Sequence, residues 1–152
     1  MLKSVLLLTM ISLKLYSQEI DVKFNQIKSI PCNYYPKAFP KESVSSIKID
    51  TSFKYIIDLD TTAVAWLIEK INDTTLTSIN KPGEKSLLKQ GDLAIILIDH
   101  IILIPWSKIT QEQFDICCLC GALPNGFLSY LDKHRSDFQL KYRKYYYFER
   151  KK

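Results

Sequence analysis

The spacing of apolar and polar residues predicts a mainly α-helical chain. In the segment 61–73, four apolar residues recur at i, i+3, i+4 and i+7, the spacing of one helix face: Val64, Leu67, Ile68 and Ile71. Asp60 or Thr61 is suited to cap this helix, and Asn72-Asp73 is suited to end it. We therefore predict an amphipathic helix with one buried face.

A second periodic pattern predicts a long helix at the C-terminal end, from Pro124-Asn125 to about residue 148. Its apolar stripe continues over five turns: Phe127, Leu131, His134, Phe138, Tyr142 and Tyr145. Side chains this large at helical spacing bury much apolar surface. The stripe is therefore expected to lie on the core.

Residues 93–104 are almost continuously apolar, with Asp99-His100 in the middle. We predict a buried helix that Asp92 caps and Pro105 terminates. The alternative is a β-hairpin that turns at Asp99-His100, which the isoleucines favour. Two-residue hairpin turns usually contain glycine, which this pair lacks, so the helix is preferred.

Four other segments carry weaker patterns. Residues 43–58 fit both an alternating strand and a helical stripe, and residues 19–30 predict a short helix. Three prolines between residues 31 and 40 indicate an ordered loop. A further loop is predicted from Thr74 to Gln90.

The run Thr62-Ala63-Val64-Ala65-Trp66-Leu67-Ile68-Glu69-Lys70-Ile71-Asn72-Asp73 resembles the second helix of a HEAT-like repeat. Gly91-Asp92-Leu93-Ala94 is similar to the opening of another repeat helix. The resemblance covers residues 43–104 and implies helix pairs, with residues 43–58 helical. Such repeats usually serve as scaffolds for binding partners, so the resemblance implies no catalytic chemistry.

The first seventeen residues have the order of a secretory signal peptide. Lys3 precedes an apolar run from Val5 to Leu15 that is too short to span a bilayer, and Ser17 supplies a small residue before Gln18. We therefore expect residues 1–17 to be removed and the protein to be periplasmic or secreted. No transmembrane segment is expected after that cleavage.

Composition and charge characterise the chain that would remain after removal of the signal peptide. The full sequence has 47% apolar residues, and residues 18–152 are expected to form one globular helical domain. They hold 19 basic and 16 acidic residues. The positive charge is concentrated in residues 133–152, which hold eight basic and two acidic residues. A solvated terminal helix explains this concentration, and attraction to an anionic partner is the alternative.

The four cysteines are Cys32, Cys117, Cys118 and Cys120. An even number of cysteines behind a signal peptide predicts a structural disulfide, with Cys32 joined to one of the other three. Buried thiols, a redox dithiol and a zinc–thiolate site are the alternatives. Adjacent Cys117 and Cys118 are the least suitable pair because their bridge would be strained.

The sequence contains no familiar catalytic motif. It lacks the Gly-x-Ser-x-Gly, His-Glu-x-x-His and glycine-rich phosphate-loop patterns, and it has four glycines in all. His100 and His134 both lie on apolar patterns, which is typical of packed core histidines. We therefore expect no catalytic residue, no cofactor and no metal ligand.

One surface candidate remains beyond Arg143. Four consecutive aromatic residues flanked by bases are unusual at a solvated helix end, and we name this group the C-terminal patch: Lys144, Tyr145, Tyr146, Tyr147, Phe148 and Arg150. Either neighbouring elements cover the aromatic residues, or they form an exposed surface for an anionic partner such as a membrane, a polysaccharide or an acidic protein. Nucleic acid is the weakest candidate partner, because export removes the protein from most nucleic acid.

These observations favour a small exported helical protein with a non-enzymatic binding role and another exported macromolecule as its partner. Two alternatives stay open. One is thiol–disulfide chemistry at the cluster from Cys117 to Cys120, and the other is an inhibitor or immunity protein against a secreted enzyme or toxin.

Overall fold

The computed structural model describes residues 15–31, 49–81, 85–114, 123–124 and 126–150. Helices dominate these residues, which confirms the predicted mainly α fold with a long C-terminal helix. The helices are α1 (residues 15–25), α2 (Thr51–Asp58), α3 (Thr61–Lys70), α4 (Gln90–Ile101), α5 (Trp106–Thr110) and α6 (Phe127–Lys144). A π-helical segment, Tyr145–Glu149, continues α6.

Helix α2 resolves the ambiguity of residues 43–58 in favour of a helix over Thr51–Asp58. Asp50 caps it, because its Oδ1 accepts hydrogen bonds from the backbone N–H groups of Ser52 and Phe53 at 2.9 and 3.0 Å. Residues 43–48 lie outside the described residues.

Helix α3 forms where its periodicity predicts it, and its four apolar stripe residues are fully buried. Asp60 occupies the N-cap position, but its side chain makes no capping hydrogen bond. Its backbone adopts φ +51°, a conformation that non-glycine residues rarely take. This sharp turn after α2 brings Thr61 to the start of α3.

Helix α4 confirms the predicted buried helix over the alternative hairpin, with boundaries about three residues earlier than expected. It begins at Gln90, so Asp92 lies in the first turn, where its Oδ2 accepts the N–H of Lys89 at 2.9 Å. Pro105 does not end it. The helix ends at Ile101 because Ile102 is extended and the Asp99 carboxylate accepts the N–H of Ile104 at 2.8 Å.

The predicted loop from Thr74 to Gln90 is wrong, because this stretch contains a two-stranded antiparallel hairpin. Strand β1 (Leu76–Asn80) pairs with β2 (Leu87–Lys89), and the register is irregular between Leu76 and Asn80. Ile79 and Leu88 turn into the core, and the other strand residues are exposed or half-buried. Two inward residues are too few to produce a readable alternation.

The core lies between α4, which is buried along nearly its whole length, and the helices that pack on it. Helices α2 and α3 contact α4, and α6 contacts α3 and α5. Helix α1 contributes Ile20 and Phe24, and the Phe24 ring meets Trp66 edge-on at 5.2 Å.

Side chains of α6 bind the carbonyl groups at the end of α3. Gln139 donates to Ile68 O at 2.7 Å, and Arg135 donates to Ile71 O at 3.0 Å and pairs with Asp92 at 2.5 Å. Ile68 O also accepts the N–H of Ile71 at 3.3 Å. The last carbonyls of a helix lack the usual internal donors, and α6 supplies donors to the end of α3 from outside. Gly91 lies at this junction, because a Cβ there would overlap Ile71 O.

The inward stripe of α6 differs from the prediction at one position. Its Phe, Leu and Tyr142 members are fully buried, but His134 is exposed. The backbone at His134 leaves helical geometry, with φ −128° and ψ 19°, and Arg135 takes the inward position instead. Its ion pair with Asp92 is the physical reason that a charged residue is tolerated there.

Candidate functional site

The C-terminal patch lies where α6 passes into its π-helical segment. The buried ring of Tyr142 anchors this end, and it is near the rings of Tyr145 at 6.2 Å and Tyr146 at 6.5 Å between centroids. Tyr145 and Tyr146 are half-buried against the core. These two members of the aromatic run therefore follow the first of the two predicted alternatives, in which neighbouring elements cover them.

The other two aromatic residues follow the second alternative. Tyr147 is 48% exposed and Phe148 is 72% exposed. The wider turn of the π segment, in which Arg150 N–H donates to Tyr145 O at 3.0 Å, divides the four consecutive rings into an inward pair and an outward pair.

The patch is held in place by contacts from other elements. The Lys108 ammonium on α5 pairs with Glu149 at 3.2 Å and lies 5.0 Å from the Tyr145 ring centroid. The Tyr146 hydroxyl donates to Thr61 O at 3.3 Å. These contacts connect the segment that carries Tyr147 and Phe148 to α3 and α5.

A cleft of about 540 Å³ opens beside the patch, lined by Thr61, Tyr146, Tyr147 and Arg150. The Arg150 guanidinium lies 5.4 Å from the Tyr146 ring centroid. The lining offers aromatic faces, hydroxyl groups and a permanent cation, which are groups that bind a ligand. Lys144 lines a second cavity of about 230 Å³ with Lys108 and Tyr145 among its other residues.

The sequence identified the patch through its aromatic run but missed two contributors. Thr61 reaches the cleft because of the turn at Asp60, and Lys108 reaches the patch from α5. Neither contribution has a local signal, since each depends on how distant elements pack.

A second group of polar residues is enclosed in the core. His100 is buried as predicted, with Nδ1 2.8 Å from Ile96 O and its ring edge-on to Phe53 at 5.3 Å. Beside it, burial raises the pKa of Asp99 to about 7. Burial also raises the pKa of Tyr142. These groups face the protein interior, so they affect stability and do not form a ligand site.

The predicted disulfide candidates lie outside the described residues, so the pairing of Cys32, Cys117, Cys118 and Cys120 stays a prediction. Across the parts of the chain that the structure describes, no cluster of three metal-ligating side chains occurs. Within those same ranges, no helix has the length and apolar character needed to cross a bilayer.

Comparisons with known proteins add no family. No protein-family model matches the chain, and searches of curated proteins and of solved structures return no match. The resemblance to HEAT-like repeats therefore stays a prediction.

Proposed function

We propose that this chain is an exported, non-enzymatic binding protein whose binding surface is the C-terminal patch. The partner is another exported macromolecule or an anionic surface that the exported protein meets. One observation carries the proposal: Tyr147 and Phe148 are held outward beside Arg150 and a 540 Å³ cleft, although two rings of the same run are packed inward.

Three physical features support binding at this surface. Exposed aromatic residues next to arginine have the composition of binding hot spots, because they offer large contact areas at a low entropic cost. The anchoring contacts of Lys108 and Tyr146 reduce the ordering that a ligand would have to impose. The excess of bases in residues 133–152 attracts acidic partners.

Export and a disulfide belong to the same proposal. The order of charge, apolar run and small residue in residues 1–17 supports cleavage after Ser17. In an oxidising compartment, the even cysteine count supports a bridge from Cys32 to Cys117, Cys118 or Cys120.

Site-specific photo-crosslinking in the producing cells tests the binding role. A benzophenone amino acid replaces Phe148 in one variant and Leu103 in the control, because Leu103 is equally exposed at 73% but lies outside the patch. We expect a discrete covalent adduct from position 148 and none from position 103. The proposal fails if both positions give the same products, or if position 148 gives none.

A further inference from the structure

The outward face of α6 combines exposed apolar residues with positive charge. Leu140, Lys144 and Phe148 follow one another at i, i+4 and i+8, and Leu140 and Phe148 are 61% and 72% exposed. Lys133 is also exposed on α6, before the irregular backbone at His134, and we name these four residues the outward face. We propose that the outward face docks on the surface of a lipid bilayer with anionic headgroups, an inference that rests on the binding role proposed for the C-terminal patch.

The geometry fits a helix that lies along a surface. Leu131, Phe138 and Tyr142 on the opposite side of α6 are fully buried, so the helix has one face on the protein and the other directed away from it. Leu140 and Phe148 are separated by at most roughly 12 Å along the axis, the value for an α-helix at about 1.5 Å per residue, because the π-helical segment Tyr145–Glu149 rises less per residue. Two apolar side chains at that distance can enter a flat interface together.

The charges fit an anionic interface. The acidic residues of this region are engaged: Asp137 pairs with Lys141 at 2.8 Å, and Glu149 pairs with Lys108 at 3.2 Å. Of the eight bases in residues 133–152, Arg135 is buried against Asp92, and Lys141 and Arg143 pair with Asp137 and Glu69. Lys133, Lys144 and Arg150 are exposed and supply positive charge to this end of the protein. Basic side chains around exposed aromatic and aliphatic residues are the composition of helices that lie in the headgroup region.

A bilayer explains this face better than an acidic polysaccharide or an acidic protein does. A polysaccharide would use the aromatic rings and the bases but would gain nothing from Leu140. A stable protein partner would need an apolar patch that is complementary in shape to this convex helix surface, whereas a bilayer needs no such patch. Leu103 and Val22 are also exposed, but they lie outside the basic segment. Isolated apolar residues of this kind are common on protein surfaces and need no binding role.

The test is flotation of the protein recovered from its host with vesicles of phosphatidylglycerol and phosphatidylcholine. Vesicles of phosphatidylcholine alone are the lipid control. The double variant Leu140→Ser/Phe148→Ser is compared with the matched variant Leu103→Ser, and thermal melting verifies that each variant is folded.

We expect binding to the anionic vesicles alone, weakened by salt. The double variant should bind at least about tenfold more weakly, because it loses two apolar side chains that enter the interface, and Leu103→Ser should bind like the unchanged protein. Tryptophan emission from Phe148→Trp should shift to shorter wavelength when anionic vesicles are added, relative to the same change at Leu103.

Two results would overturn the inference: no binding to anionic vesicles, with or without binding to soluble heparin, or equal binding by the double variant. A crosslinked adduct at position 148 that contains protein or glycan, together with failure to bind vesicles, would reject the bilayer and keep the binding role. Failure of both experiments would reject both.

Discussion

Asp99 is the residue whose ionisation has the clearest cost. It is 3% exposed within the apolar helix α4, and one oxygen accepts the Ile104 N–H. Burial raises its pKa to about 7, against an ordinary value of about 4. The folded state therefore holds this proton more tightly than the unfolded state. The contribution of Asp99 to the free energy of unfolding is full below about pH 4 and is lost as the pH rises to about 7.

The substitution Asp99→Asn should remove this pH dependence. It keeps an oxygen for the Ile104 N–H but cannot ionise, so the variant should become more stable than the unchanged protein near pH 8. As the pH rises from 4 to 7, the unfolding free energy of Asp99→Asn should increase relative to that of the unchanged protein by up to roughly 1.4 kcal/mol per pH unit. Urea denaturation across that range measures it. Asp58→Asn at an exposed ion pair serves as the control, and a constant difference for Asp99→Asn would contradict the prediction.

Arg135 should be the charged side chain whose loss costs most. Arg135→Met leaves the buried carboxylate of Asp92 without its cation and Ile71 O without its donor, which should destabilise the fold by about 3–5 kcal/mol. Arg143→Met is the matched control, because its 2.5 Å pair with Glu69 is solvated and should cost at most about 1 kcal/mol. Equal losses in denaturant unfolding would show that burial of the pair is unimportant.

At the scale of elements, the end of α6 combines a structural part with an exposed part. Truncation after Arg143 removes the half-buried Tyr145 and Tyr146, so the melting temperature should fall by several degrees, at about 2–4 °C per kcal/mol for a protein of this size. The full-length double variant Tyr147→Ser/Phe148→Ser removes exposed rings alone. Its melting temperature should stay within about 2 °C, since surface changes cost little.

Differential scanning calorimetry of the two variants separates the two parts. If the double variant melts as low as the truncated protein, the outward rings are structural and not a binding surface. If truncation leaves the melting temperature unchanged, the inward packing of Tyr145 and Tyr146 contributes nothing to stability.

Elements with long, regular periodicity were predictable from sequence, whereas short elements and tertiary exceptions were not. Helices α3 and α6 follow from apolar spacing over ten or more residues, and α4 follows from a long apolar run without the glycine of a hairpin turn. Helix α5 has five residues, and the hairpin has two inward residues, so neither produces a periodic signal. The stripe of α6 fails at His134 because a distant partner, Asp92, selects Arg135 for the inward position.

The candidate site was predictable to the same extent. The aromatic run pointed to the patch, but both alternatives for it are partly correct. The division of its rings depends on the π-helical turn and on contacts with Thr61 and Lys108. Lys108 and Thr61 lie about 35 and 85 residues before the aromatic run in sequence, so the local sequence pattern cannot predict these contacts.

At the scale of the whole molecule, export predicts a specific processed form. Intact-mass analysis of protein from its native host should find a chain that begins at or near Gln18. This cut falls inside α1 and removes the hydrogen bond from Tyr16 to Thr62, but it keeps the buried anchors Ile20 and Phe24. A mass that still includes residues 1–17 would reject the signal peptide.

The same protein should contain a disulfide. Non-reducing peptide mapping should join Cys32 to Cys117, Cys118 or Cys120, closing a loop of about 85 residues that is worth roughly 3–5 kcal/mol in the chain-entropy model. The matched measurement is thiol alkylation in denaturant. Four alkylated cysteines would exclude the bridge and favour thiol or metal chemistry.

The attachment of α6 to the end of α3 has a consequence for how the molecule opens. Because Gln139 and Arg135 complete the hydrogen bonding of another helix, α6 cannot separate without exposing the carbonyls of Ile68 and Ile71 and the charge of Asp92. Helices α3, α4 and α6 should therefore exchange their amide protons as one cooperative unit, with little separate fluctuation of α6. A ligand bound at the C-terminal end of α6 should then reduce the opening of this whole unit. Binding at the surface should therefore slow amide exchange in the buried helix α4 as well.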